Sequence, residues 1–68
     1  MLTIEISLNG EARQVESSTV AELISELSLA GRRVAVELNK NIVRREQFAS
    51  TALTAGDVVE VVHFVGGG

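Results

Sequence analysis

A chain of 68 residues carrying a net charge of -3 makes one small domain, near the lower size limit for folding without covalent or metal staples. It has no cysteine, which excludes disulfides, thiolate metal sites, a thiolate nucleophile and a persulfide on its own side chains. The negative balance, with no basic stripe, argues against a nucleic-acid partner. No apolar run reaches the ~18–20 residues of a membrane span and no signal peptide is visible, so a cytoplasmic location is expected.

Leu2, Ile4, Ile6 and Leu8 alternate with Thr3, Glu5 and Ser7, the period of two that buries one face of a strand. Asn9-Gly10 follows, a pair that tolerates positive φ at both centres of a type I′ turn, and Ala12 to Glu16 reads as the polar return strand at a sheet edge. Thr19-x-x-Glu22 reads as a capping box, with the Thr19 hydroxyl accepting from an amide and Glu22 reaching back to the cap. Behind it Val20, Leu23, Ile24 and Leu27 fall at i, i+3, i+4 and i+7, one face of a helix of about ten residues that Gly31 stops. So short a helix is marginal alone in water and must dock on the sheet.

Val34, Val36 and Leu38 alternate as a third strand, ending at an Asn39-Lys40-Asn41 turn before a short strand at Ile42-Val43. From Arg44 to Ala55 no period is sustained, and Phe48 and Leu53 are expected to plug the core there. Gly56-Asp57 turns the chain into Val58 to Val65, apolar at both parities, as a central strand would be. A single helix covers only one face of such a sheet. Val58, Val62 and Phe64 share one parity of the last strand, and Val62 and Phe64 are expected on the uncovered face as a partner-docking patch.

Half of the six glycines form the terminal run Gly66-Gly67-Gly68. Without a Cβ, such a run lies extended in a channel too narrow for any other residue, and it delivers an α-carboxylate to a partner enzyme. The plainer alternative is a frayed end or a linker remnant. The domain is thus expected at 1–65 and a flexible tail at 66–68. His63, the single histidine, has no cluster of further ligands in the sequence around it and is expected to be structural or exposed, with no metal bound. Glu5, Glu11, Glu16 and Glu60 lie on different strands and offer no acid–base pair. A chain with neither a cysteine nor a nucleophile–base pair is expected not to be an enzyme.

The element order followed by Gly-Gly resembles the ubiquitin-like β-grasp fold, an α+β class with a mixed four- to five-stranded sheet and one main helix on one face. More narrowly the chain resembles the ThiS family of thiamine-biosynthesis sulfur carriers. The matching pieces are Thr19-Val20-Ala21-Glu22-Leu23, Val36-Glu37-Leu38-Asn39 leading into Ile42-Val43, Arg45-Glu46-Gln47-Phe48, and Gly56-Asp57 before the last strand. Proline is common in that family where Arg44 stands, and tryptophan where Phe48 stands.

What this resemblance implies is a carrier that binds no cofactor itself. A ThiF-type adenylating enzyme, using ATP and Mg, would convert the Gly68 carboxylate to an acyl-adenylate. Sulfur from a persulfide donor would then give a thiocarboxylate, and a ThiG-type thiazole synthase would accept it. Gly66 and Gly67 would supply reach. From the residues themselves, Arg45 joins Val62 and Phe64 as a partner-docking residue, its Arg44-Arg45-Glu46 loop contacting the partner or the phosphates of ATP; a merely solvated loop is the plainer alternative. A carrier for molybdopterin or another pathway, and a β-grasp interaction module whose tail never reacts, are the alternatives.

Overall fold

The computed structural model describes residues 2–65. Strands β1 (Ile4–Leu8) and β2 (Glu11–Val15) form the opening hairpin, followed by helix α1 (Val20–Glu26). Strands β3 (Val34–Leu38) and β4 (Asn41–Val43) form a second hairpin, a 3-10 helix spans Arg45–Ser50, and β5 (Val58–His63) closes the fold. The five strands lie in the order β2-β1-β5-β3-β4. Only β1 and β5 run parallel; the other neighbours are antiparallel. The expected mixed sheet with one main helix is present, with β2 at an edge and the apolar β5 in the centre.

Both hairpins turn through left-handed residues. Asn9 and Gly10 have φ of 52° and 86°, and Asn39 and Lys40 have φ of 51° and 72°. These are the type I′ geometry whose twist matches the paired strands. Asparagine visits the left-handed region more readily than other residues with a Cβ.

The core lies between the sheet and α1. Ile6 and Leu8 of β1, Val36 of β3, Val43 of β4 and Val59 and Val61 of β5 face Val20, Leu23 and Ile24 of the helix, all buried. Phe48 and Leu53 are buried with them, as expected of plugs. The segment around Phe48 is a 3-10 helix. Its three-residue repeat matches neither a strand nor an α-helix period, which is why the sequence shows none there.

Three local expectations are corrected. Helix α1 has seven residues rather than about ten, and Ser28 rather than Gly31 takes the left-handed position that ends it, at φ 63°. The Leu29 N–H bonds the Ile24 carbonyl at 2.9 Å and the Ser28 N–H bonds the Ser25 carbonyl at 2.9 Å, the bond pair of a Schellman motif. Its hydrophobic partner, Leu29, packs on the core, so the stop is set by where an apolar side chain is needed. In the cap, the Glu22 amide donates to the Thr19 hydroxyl at 3.2 Å, but the Glu22 carboxylate accepts from the Ser18 N–H at 2.7 Å. The return reach thus falls one residue upstream of the cap, and the Ser18 hydroxyl donates to the same carboxylate oxygen at 2.8 Å. Finally, β5 ends at His63, not Val65, because its partner β3 begins at Val34. One further bond, from the Phe64 N–H to the Arg33 carbonyl at 3.1 Å, extends the ladder.

Candidate functional site

The face of the sheet away from α1 is uncovered. Strand register fixes what lies on it: Val62 is opposite Ala35, Glu60 is opposite Glu37, and Glu37 is opposite Ile42. On the β1 side Val58 lies beside Ser7. Val62 and Phe64 are 56% and 58% exposed and Ile42 is 77% exposed, whereas Val59 and Val61, of the opposite parity, are buried. The alternation along β5 therefore holds from Val58 to Val62, and His63 at the strand end is exposed although it shares the buried parity. Val62 and Phe64 stand on the open face, as their parity requires.

Arg45 does not join them. Its guanidinium Nη2 donates to the Arg32 carbonyl at 3.3 Å, and the residue lines a shallow groove with Ala21 and Ile24 of α1 and with Phe48. That groove lies on the helix side of the sheet. Arg45, expected to dock the partner together with Val62 and Phe64, stands on the 3-10 helix, which turns it to the other side of the sheet. Sequence reading also missed Ile42 as part of the open face. The signal was there, since a pairing of Ile42 with Glu37 follows once Val43 is assigned to the core.

Gly66, Gly67 and Gly68 lie outside the described residues. They continue from the end of β5, which sits beside the start of β3 through the Val34–His63 pair. The chain thus leaves the domain at the same end of the sheet as Phe64. His63 is exposed, and among the described residues no group of three His, Cys, Asp or Glu side chains could hold a metal ion. No helix among them is long and apolar enough to cross a membrane.

The profile of the ThiS family matches residues 6–68. The chain belongs to this family. A relative from Bacillus subtilis (strain 168) named sulfur carrier protein ThiS is 37% identical over 93% of this chain and 98% of its own length. The crystal structure of a thiamine biosynthesis protein (ThiS) from Geobacter metallireducens, 38% identical, covers 96% of this chain and all of its own at a TM-score of 0.79. A thiazole synthase from Magnetococcus marinus is 44% identical over 96% of this chain, yet the match takes in only 20% of that protein. The chain spans about a fifth of the length of the thiazole synthases it matches. The family match and the structural likeness agree with the mixed sheet and single main helix described above.

Proposed function

We propose that this chain is a sulfur carrier of thiamine biosynthesis whose reacting group is the Gly68 carboxylate. The observation that carries the reading is the exposed Val62–Phe64 parity of β5, which runs directly into the glycine tail. A rigid body with an apolar grip beside a slim acyl end suits threading into another protein's nucleotide pocket.

The chemistry follows from the poor leaving group of a carboxylate. One Gly68 oxygen attacks the α-phosphorus of ATP on a ThiF-type enzyme, and pyrophosphate leaves. The terminal sulfur of a protein persulfide then attacks the acyl carbon, and AMP departs with the former carboxylate oxygen. A thiol must reduce the remaining S–S bond to free the thiocarboxylate. Stabilisation of the phosphates, including by Mg, belongs to the partner. This chain supplies the acyl group, its reach and its docking face.

The acceptor proposed for the sulfur is a ThiG-type thiazole synthase. Support for it is the similarity of this chain to a portion of two larger proteins that carry the name thiazole synthase.

Intact-mass spectrometry tests the carrier reading. Incubation with ATP and Mg, the adenylating enzyme and a persulfide donor should exchange one oxygen for one sulfur, and a variant lacking Gly68 should show no exchange. An unchanged mass for the full-length chain, with the enzyme active on another carrier, rejects the proposal.

A further inference from the structure

The open face is ordered by charge along the strand direction. The β3–β4 register continued by one residue sets Arg44 opposite Ala35, with Arg44 in extended backbone at φ -79° and ψ 153°. The bond from the Phe64 N–H to the Arg33 carbonyl likewise sets Arg33 opposite Phe64. The row nearest the end where the chain leaves therefore holds Phe64 and Arg33. The next holds Val62, Ala35 and Arg44, and the one beyond holds Glu60, Glu37 and Ile42. Two cations lie in the two rows nearest Phe64, both on the β3–β4 side of β5, exposed apolar side chains lie among them, and two carboxylates stand further off.

The Glu60–Glu37 pair is a stored repulsion. Directly opposite like charges on neighbouring strands destabilise a sheet. Docking an apolar surface here would strip water from both carboxylates and from the arginines, at a cost that only opposite charges on the partner offset.

Resting on the carrier reading above, we infer that this face recognises a protein partner of fixed charge pattern. That partner presents carboxylates to Arg33 and Arg44, at the rim of the pocket that takes the tail, and a cationic side chain to Glu37 and Glu60. A second copy of this chain is the lesser fit. Ile42, Val58, Val62, Phe64 and Ala35 form a small apolar set against the ~800 Å² per partner of a stable interface. A partner that also envelops residues 66–68 adds the missing area, and a second copy packed on this face does not.

The test reads binding separately from conversion. The wild-type chain and three paired variants are titrated onto the immobilised adenylating enzyme at low and high salt, with circular dichroism to confirm folding. Arg33→Glu/Arg44→Glu and Glu37→Arg/Glu60→Arg should each weaken binding about tenfold or more and flatten its salt dependence. Arg13→Glu/Arg32→Glu changes net charge as the first pair does, away from the open face, and should bind close to wild type. Arg33→Gln/Arg44→Gln stands in should a reversal fail to fold. Face variants that bind as the control does overturn the inference, as does a wild type that does not bind. A dimer in sedimentation that both reversals dissociate gives the face to a second copy and also overturns it. Binding with the expected charge dependence but without sulfur exchange sinks the carrier reading and leaves the surface standing.

Discussion

The side-chain amide of Asn9 pairs with both backbone groups of Val61, fifty-two positions away. Its Nδ2 donates to the Val61 carbonyl at 3.1 Å and its Oδ1 accepts from the Val61 N–H at 2.8 Å. Strand β1 ends at Leu8, so the amide continues the β1–β5 ladder after the main chain has turned away. Asn39 does half of this for the other neighbour of β5: its Oδ1 accepts from the Val58 N–H at 2.9 Å, while its Nδ2 donates to the Asp57 carboxylate at 3.1 Å. Each asparagine turns a hairpin and staples the central strand that carries the docking face.

Substitutions at Asn9 separate these two roles. Asn9→Gly keeps the positive φ and loses only the staple, at an expected cost of about 1–2 kcal/mol for a part-buried pair of bonds. Asn9→Ala loses the staple and adds left-handed strain, and should cost about 1 kcal/mol more. Urea unfolding measures both. Equal stability of the glycine variant and wild type refutes the stapling role.

The alternation of Ile4 to Leu8 and of Val34 to Leu38 was enough to place two strands, and the parity of β5 was enough to expose Val62 and Phe64. Leu2, read as the start of the first buried face, lies outside β1 and is 93% exposed. Pattern works where one face is buried and the other wet. It was silent on the staples, because Asn9 and Asn39 are read from sequence as turn residues and their distant partners depend on strand order. It was silent too on which side of the sheet Arg45 lies, because a 3-10 helix has a period that neither template detects. Charge order on the open face was hidden for a related reason: Arg33, Arg44, Glu37 and Glu60 come from three segments and meet only through register.

Ser28 offers a stabilising change. It holds φ of 63° at the end of α1, where glycine suffers no Cβ penalty. Ser28→Gly should raise stability by about 0.5–1 kcal/mol, net of the greater freedom glycine gives the unfolded chain. Thermal unfolding checks the sign, and a lower midpoint for the variant shows that the serine itself contributes to the stop.

The N-cap carries a pH signature. Hydrogen bonds from the backbone N–H and the hydroxyl of Ser18 hold the Glu22 carboxyl below its ordinary value. A depressed folded value means that the carboxylate stabilises the fold above the ordinary glutamate range. The contribution fades as pH falls through that range and the depressed value, since protons then bind the unfolded chain first. Glu22→Gln should accordingly be less stable than wild type at neutral pH, with the gap closing in acid. A gap that stays constant across this interval removes the role of the charge.

The docking face makes the sharpest separation between fold and function. Val62 and Phe64 are more than half exposed, so replacing either with aspartate removes no core contact and should leave the circular dichroism spectrum unchanged. The same charge on the other parity, as in Val61→Asp, enters the core at a residue only 6% exposed and should unfold a domain whose whole stability is roughly 3–10 kcal/mol. Val62→Asp and Phe64→Asp should instead slow sulfur loading through a higher KM for the carrier, because the apolar grip is lost while the acyl end is untouched. Loading at the wild-type rate by both folded variants would show that the partner holds this protein elsewhere. Loss of folding in both would show that the exposed parity of β5 supports the sheet itself.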